Sequence, residues 1–169
     1  MNLPKNILVP TDFSEPARQA LDYAVDLAEK LGARITVMHT YEIPVLGFPD
    51  GFLVATADVA GHILNGAQEG LTALVGPRKG RGVELTPLLK CGEPRETIVA
   101  VAGEIGADLV VMGTHGRRGL AHALLGSVAE YVVRASPCPV FTIRGSDAQP
   151  PRERAQAQTV RQGADPARR

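Results

Sequence analysis

The sequence predicts an α/β fold: a single open, doubly wound, Rossmann-like sheet of five parallel strands in the order 3-2-1-4-5, with four helices on two faces. Short apolar runs bounded by turn-forming residues alternate with stretches whose apolar residues recur at helical spacing. The resulting β-α-β-α-β-α-β-α-β order calls for parallel strands, right-handed crossovers and a sheet covered on both sides. A length of 169 residues suits about one domain, and an apolar content of 44% is enough to build its core.

Residues 6–10 (Asn-Ile-Leu-Val-Pro) are a short apolar run and read as the first strand. From Ser14 to Leu31, Ala17, Ala20, Leu21, Ala24, Val25, Ala28 and Leu31 recur at helical spacing, with Ser14 as N-cap and Gly32 as C-cap. Residues 35–40 form the second strand. Residues 42–55 hold two prolines and two glycines and read as a loop. The second helix places Ala60, Ile63, Leu64, Ala67, Leu71, Leu74 and Val75 on one face. Its glycines at 61, 66 and 70 each weaken it by roughly 1 kcal/mol against alanine. Residues 83–89 alternate, and Pro87 sends that strand to a sheet edge. Glu93-Pro94 opens the third helix, with Ile98, Val101, Ala102 and Ile105 inward. Residues 108–112 are the fourth strand, the last helix starts near Ser127, and residues 139–143 are the fifth strand. From Gly145 onward large apolar side chains almost vanish, which predicts a disordered tail over 145–169.

Eighteen basic and eighteen acidic residues cancel, so no basic footprint points to nucleic acid. The tail carries five arginines against Asp147, Glu153 and Asp165, and is +2. Cys91 and Cys138 fit no metal spacing and read as small apolar side chains beside strands. No apolar run has the length for membrane insertion, and Met1–Lys5 lacks the form of a signal peptide, so the expected location is cytoplasmic.

The sharpest feature is Gly113-Thr114-His115-Gly116, nine further residues, then Gly126-Ser127. It leaves a buried strand and closes on a helix start. Glycine lets backbone approach a ligand, and the first helical N–H groups lack internal partners, so such a turn suits phosphate. It matches neither the P-loop nor the dinucleotide glycine fingerprint. Ser127 and Glu130 also have capping-box spacing, so Ser127 reads either as a phosphate ligand or as a cap. Asp12 follows the first strand and reads either as a ligand or as an Asx-turn residue. His115 could reach a phosphate or make only a local hydrogen bond, and at most one of Arg117 and Arg118 is expected to make contact. His39, inside a strand, reads as a packed core histidine.

Three separated blocks resemble the universal stress protein family: residues 7–14 (Ile-Leu-Val-Pro-Thr-Asp-Phe-Ser), residues 110–130 around the glycine turn, and residues 136–140 (Ser-Pro-Cys-Pro-Val). The resemblance spans about residues 4–144. The G-x-x-G-(x)9-G-[ST] spacing resembles the ATP-binding branch of that family and implies a nucleotide-binding domain over 1–144. Carried over by position, it implies that Gly113 and Gly116 bring backbone against the phosphates, and that Gly126, Ser127 and Val128 donate N–H groups. His115 and Arg117 lie in the same turn, after Met112 at the strand end. Asp12 would sit near the ribose or the metal-bound phosphates, Pro10 and Thr11 would shape the adenosine wall, and Thr40 would touch adenine through its backbone. The cofactors implied are ATP (or AMP or ADP) and Mg²⁺, held mainly by the phosphates, with no dedicated protein metal site. The family also implies a homodimer through the fifth strand, Val140, Phe141, Thr142 and Ile143, an edge inviting pairing.

Three functions are weighed against these expectations. A nucleotide-dependent switch or sensor in the bacterial stress response, with weak or no hydrolysis, requires only binding. An adenylyl-transfer enzyme would carry H-x-G-H or S-G-G-x-[DS] in its first loop, where Pro10-Thr11-Asp12-Phe13-Ser14 stands. A ligand-independent interaction protein would use the glycines only to fold the loop.

Overall fold

The computed structural model describes residues 3–48, 51–114 and 125–145. Its main sheet contains β1 (Asn6–Pro10), β2 (Arg34–Tyr41), β5 (Leu85–Cys91), β6 (Leu109–Gly113) and β7 (Val140–Ile143). All pairings are parallel, and the order is β5-β2-β1-β6-β7, the predicted 3-2-1-4-5. β5 is an edge strand, and its Pro87 costs no central ladder bond there.

Helices α1 (Glu15–Leu31), α2 (Ala57–Val75), α3 (Pro94–Glu104) and α4 (Ser127–Ala135) cover the sheet. Strand alternation divides the core in two. Ile7, Val9, Ile35, Val37, Leu109 and Val111 pack with α1 and α2. Leu8, Met38, Val110 and Met112 pack with α3 and α4. The strands between these layers are therefore apolar on both faces. α1 runs from Ser14 at its N-cap to Gly32, whose φ of 60° is the left-handed C-cap conformation. α2 buries Ala67, Leu71, Leu74 and Val75, whereas Leu64, expected on that face, is exposed. α3 buries Ile98, Val101 and Ala102, with Ile105 half-buried beyond its end.

Residues 42–55 correct the sequence reading. They contain a two-stranded antiparallel hairpin, β3 (Val45–Phe48) and β4 (Gly51–Val54), and not an unstructured loop. Prolines and glycines masked the short apolar runs, although Pro49-Asp50-Gly51 is itself a turn signal. Cys91, at the end of β5, is exposed, while Cys138 is half-buried against the α3/α4 core.

At the amino end of the sheet, Asp108 accepts hydrogen bonds from the backbone N–H groups of Lys5 (2.9 Å) and Asn6 (3.0 Å). This clamps the start of β1 to the start of β6. On the outer surface, Arg78 pairs with Asp22, and Arg81 with Asp26 and Glu29, tying the segment after α2 to α1. These pairs are largely solvated, so each contributes little. No helix among the described residues is long and apolar enough to cross a membrane. The expected tail, residues 146–169, lies outside the described residues.

Candidate functional site

In doubly wound sheets, ligands lie beyond the carboxyl ends of the strands where the winding reverses. Here that point lies between β1 and β6. β1 leads into α1 and neighbours β2 on one side, while β6 leads toward α4 and neighbours β7 on the other. Ile7 pairs with Leu109 and Leu8 with Val110, so this register carries Pro10, Thr11 and Asp12 alongside Met112, Gly113 and Thr114.

Each wall is fixed by backbone bonds. Thr11 N donates to Met38 O at 2.8 Å, which holds the β1 exit against β2 two residues before Thr40. Thr114 N donates to Ile143 O at 2.9 Å, and Gly126 N donates to Thr114 O at 2.7 Å. The second bond brings the start of α4 back to the end of β6. Pro10, Thr11, Asp12, Thr40, Met112, Gly113, Gly126, Ser127 and Val128 therefore converge at one end of the sheet. His115, Gly116 and Arg117 fall outside the described residues.

The helix N-termini differ in a telling way. α2 is capped by Thr56, whose Oγ1 accepts from Val59 N at 3.4 Å. α3 is capped by Glu93, whose carboxylate accepts from Glu96 N at 3.2 Å. Burial raises the Glu93 pKa, but the hydrogen bonds from Arg95 and Glu96 outweigh it and hold the carboxyl below its ordinary range. The N-cap residues of α1 and α4, Ser14 and Gly126, make no side-chain cap bond. These two helices follow β1 and β6, the strands framing the crevice. The capping-box reading of Ser127 is thus corrected. Gly126 takes the extended N-cap conformation, and Ser127 is the exposed first residue of α4. Ser127, Val128 and Ala129 have no intrahelical acceptor for their N–H groups.

Asp12 is half-buried, and its Oδ1 accepts from the N–H (3.1 Å) and hydroxyl of Ser14, so its Asx-turn role is real. Met112 turns its side chain into the α3/α4 core and offers the crevice only backbone. Gly113 has a packing reason to be glycine. A Cβ there would lie 3.0 Å from the carbonyl carbon of Pro16 and 3.1 Å from its oxygen, so the glycine lets α1 approach β6.

Sequence reasoning missed Phe13 and Gly70. Phe13 has φ 65°, the one positive value at a non-glycine among the described residues, a conformation costing about 1–2 kcal/mol. Its amide donates to Thr11 Oγ1 at 3.1 Å. Its ring stacks on His39 (centroids 4.2 Å apart, tilted 40°), and its tip lies against Gly70 of α2. His39 packs on the Phe13 ring but is half-buried and lies outside both core clusters, and its Nδ1 lies 2.7 Å from Thr11 O. Phenylalanine gives no signal of a left-handed position; a glycine, asparagine or aspartate at residue 13 would have.

A groove of about 570 Å³ bordered by Glu42, Ile43, Pro44, Val45, Cys91 and Gly92 adjoins the carboxyl ends of β2 and β5. The larger groove, about 640 Å³, opens at the opposite end beside Lys5, Arg34, Glu84 and Asp108. Size therefore does not mark the site; the strand ends do. Among the described residues, no three or more His, Cys, Asp or Glu side chains gather as a metal cage.

Known proteins share this architecture. The model of the universal stress protein family matches residues 4–144. Universal stress protein MJ0531 of Methanocaldococcus jannaschii is 33% identical over 147 residues, covering 85% of this chain and 84% of that protein. A universal stress protein crystallised in complex with cAMP superposes with a TM-score of 0.63 at 26% identity, covering 86% of this chain and all of the other (100%). The universal stress protein of Archaeoglobus fulgidus in complex with dAMP gives 0.59 at 25% identity, covering 85% and 99%. The family match over residues 4–144, the 33% identity and the superposed folds agree: the chain belongs to the universal stress protein family.

Proposed function

We propose that this protein binds an adenine nucleotide, ATP with Mg²⁺ foremost, in the crevice between β1 and β6, and acts as a nucleotide-dependent switch in the stress response. The observation that carries the reading is the pairing of two helix starts without side-chain caps with the two strands that frame the switch point. The N–H groups of Ser127 and Val128 supply donors for phosphate at the positive end of α4. Thr11 and Thr40 flank the base and ribose side. Asp12 is the carboxylate nearest the expected Mg²⁺, and one carboxylate suits a cation held mainly by phosphate oxygens. Relatives crystallised with cAMP and dAMP share the adenine and a single phosphate, which supports an adenine-directed site.

Binding with little turnover fits the chemistry of the residues. Phosphoryl transfer requires an oriented nucleophile and charge stabilisation in line with it. The crevice's carboxylate, Asp12, is engaged by Ser14.

Thermal melting tests the reading. Mg-ATP at about 100 times Kd adds roughly 2.7 kcal/mol. At roughly 2–4 °C per kcal/mol for a chain of this size, the melting temperature should rise by about 5–11 °C. GTP should give less, and AMP and cAMP arms rank the phosphate requirement. Millimolar ATP without a shift would rule the reading out.

We further propose a homodimer through β7. It is an edge strand, and its Phe141 is 45% exposed, an apolar ring on an unpaired edge. Phe141→Asp should halve the mass seen by light scattering; an unchanged mass would refute this interface.

A further inference from the structure

Gly70 lies in the interior of α2, where glycine is a poor helix former. Gly61 and Gly66 in the same helix face open space: a Cβ at either would meet nothing within 4 Å. Gly70 differs. A Cβ there would come within 3.0, 3.2 and 3.3 Å of three atoms at the tip of the Phe13 ring. The same ring packs on His39, with centroids 4.2 Å apart, and His39 Nδ1 lies 2.7 Å from Thr11 O. Phe13 itself holds a left-handed backbone, with Thr11 and Asp12 immediately before it. Its amide is bonded to the Thr11 side chain, and the next residue, Ser14, is bonded to Asp12. Strained positions of this kind persist only where their surroundings hold them.

We propose that Phe13 is a positioning residue, packed against both Gly70 and His39, that sets the Thr11–Asp12 wall for nucleotide and couples occupancy of the crevice to the seating of α2. This rests on the nucleotide reading above. The contacts form one chain from α2 through the Phe13 ring to the β1 exit. A displacement of the ring turns the Phe13 backbone, and with it the peptides carrying Thr11 and Asp12. Linkage makes the coupling reciprocal: if unseating α2 weakens nucleotide binding, nucleotide must favour seated α2 by the same factor. The output side of the switch is then α2, not the β7 edge.

Gly70→Ala tests this, because its two effects have opposite signs. Alanine is the better helix former and should hold or raise the melting temperature of the free protein. The added Cβ pushes on the ring and should raise Kd for Mg-ATP roughly 5- to 20-fold, within the usual span of coupling between sites. Gly66→Ala brings the same gain in helix propensity without the contact and should leave Kd unchanged. Phe13→Leu shortens the ring, and in the Gly70→Ala background it should give a smaller further loss than in the wild type, so the two effects are not additive. Hydrogen exchange adds a second readout: Mg-ATP should slow amides 67–75 in the wild type and in Gly66→Ala, and much less in Gly70→Ala. Equal Kd values for Gly70→Ala and Gly66→Ala would overturn the coupling while leaving nucleotide binding intact. A wild type that binds no adenine nucleotide would overturn both.

Discussion

Ser127→Pro should leave the fold intact and weaken nucleotide binding by about 10- to 150-fold. Ser127 is the first helical residue of α4, where proline's fixed φ is already suitable and its missing N–H is one the helix does not use. The preceding Gly126 has ψ 158°, the extended setting that a following proline requires. The melting temperature of the free protein should therefore move by no more than about 2 °C, because exposed changes of this kind stay near 0.5 kcal/mol. What is removed is a donor to a charged group, worth about 1.5–3 kcal/mol, which corresponds to the stated range in Kd. Ser127→Ala, which keeps the N–H and loses the hydroxyl, divides the loss between the two groups. Titration calorimetry with Mg-ATP on both variants provides the measurement. Wild-type affinity in Ser127→Pro would remove α4 from the phosphate site.

Gly113→Ala should destabilise the free protein by about 1–3 kcal/mol, the usual cost of forcing extra volume into a packed site. The melting temperature should fall by about 2–12 °C. The clash falls on the backbone of Pro16, which cannot rotate away as a side chain could. Calorimetric melting without ligand checks it. If Gly113 served only to let phosphate approach, the free protein would melt unchanged and only its affinity would fall. The first glycine of the turn thus has a structural duty that its position in a phosphate motif conceals.

Much of this was legible in the residues, for identifiable reasons. Ser14 and Gly32 delimit α1 because a cap and a left-handed C-terminal glycine are local properties. Pro87 marked an edge because a missing N–H is also local. Where tertiary context decides, the sequence was silent or misleading. The offset between Ser127 and the true cap, Gly126, is one residue, yet it exchanges a self-satisfied helix start for an open one. The hairpin at 45–54 is built from two four-residue strands interrupted by glycine, too short to show a period. The Phe13–Gly70–His39 contact joins residues far apart in the chain, and no local pattern signals that they meet. The glycine of α2 that looked like a weakness in the helix has a ring against it; its two neighbours do not.

The Asp108 clamp bears on how the crevice comes to exist. Asp108 and the Asn6 amide it holds are 102 positions apart in sequence. β1 can find β2 early, because α1 brings them together locally, but its pairing with β6 closes most of the chain into one loop and comes at a large entropic cost. The β1–β6 crevice is therefore absent from every partial fold that lacks β6, including a nascent chain with its carboxyl half still unmade. On the proposed reading, a nucleotide bound there would select for chains whose sheet is complete, and its occupancy would then report the integrity of the protein as well as the supply of the nucleotide.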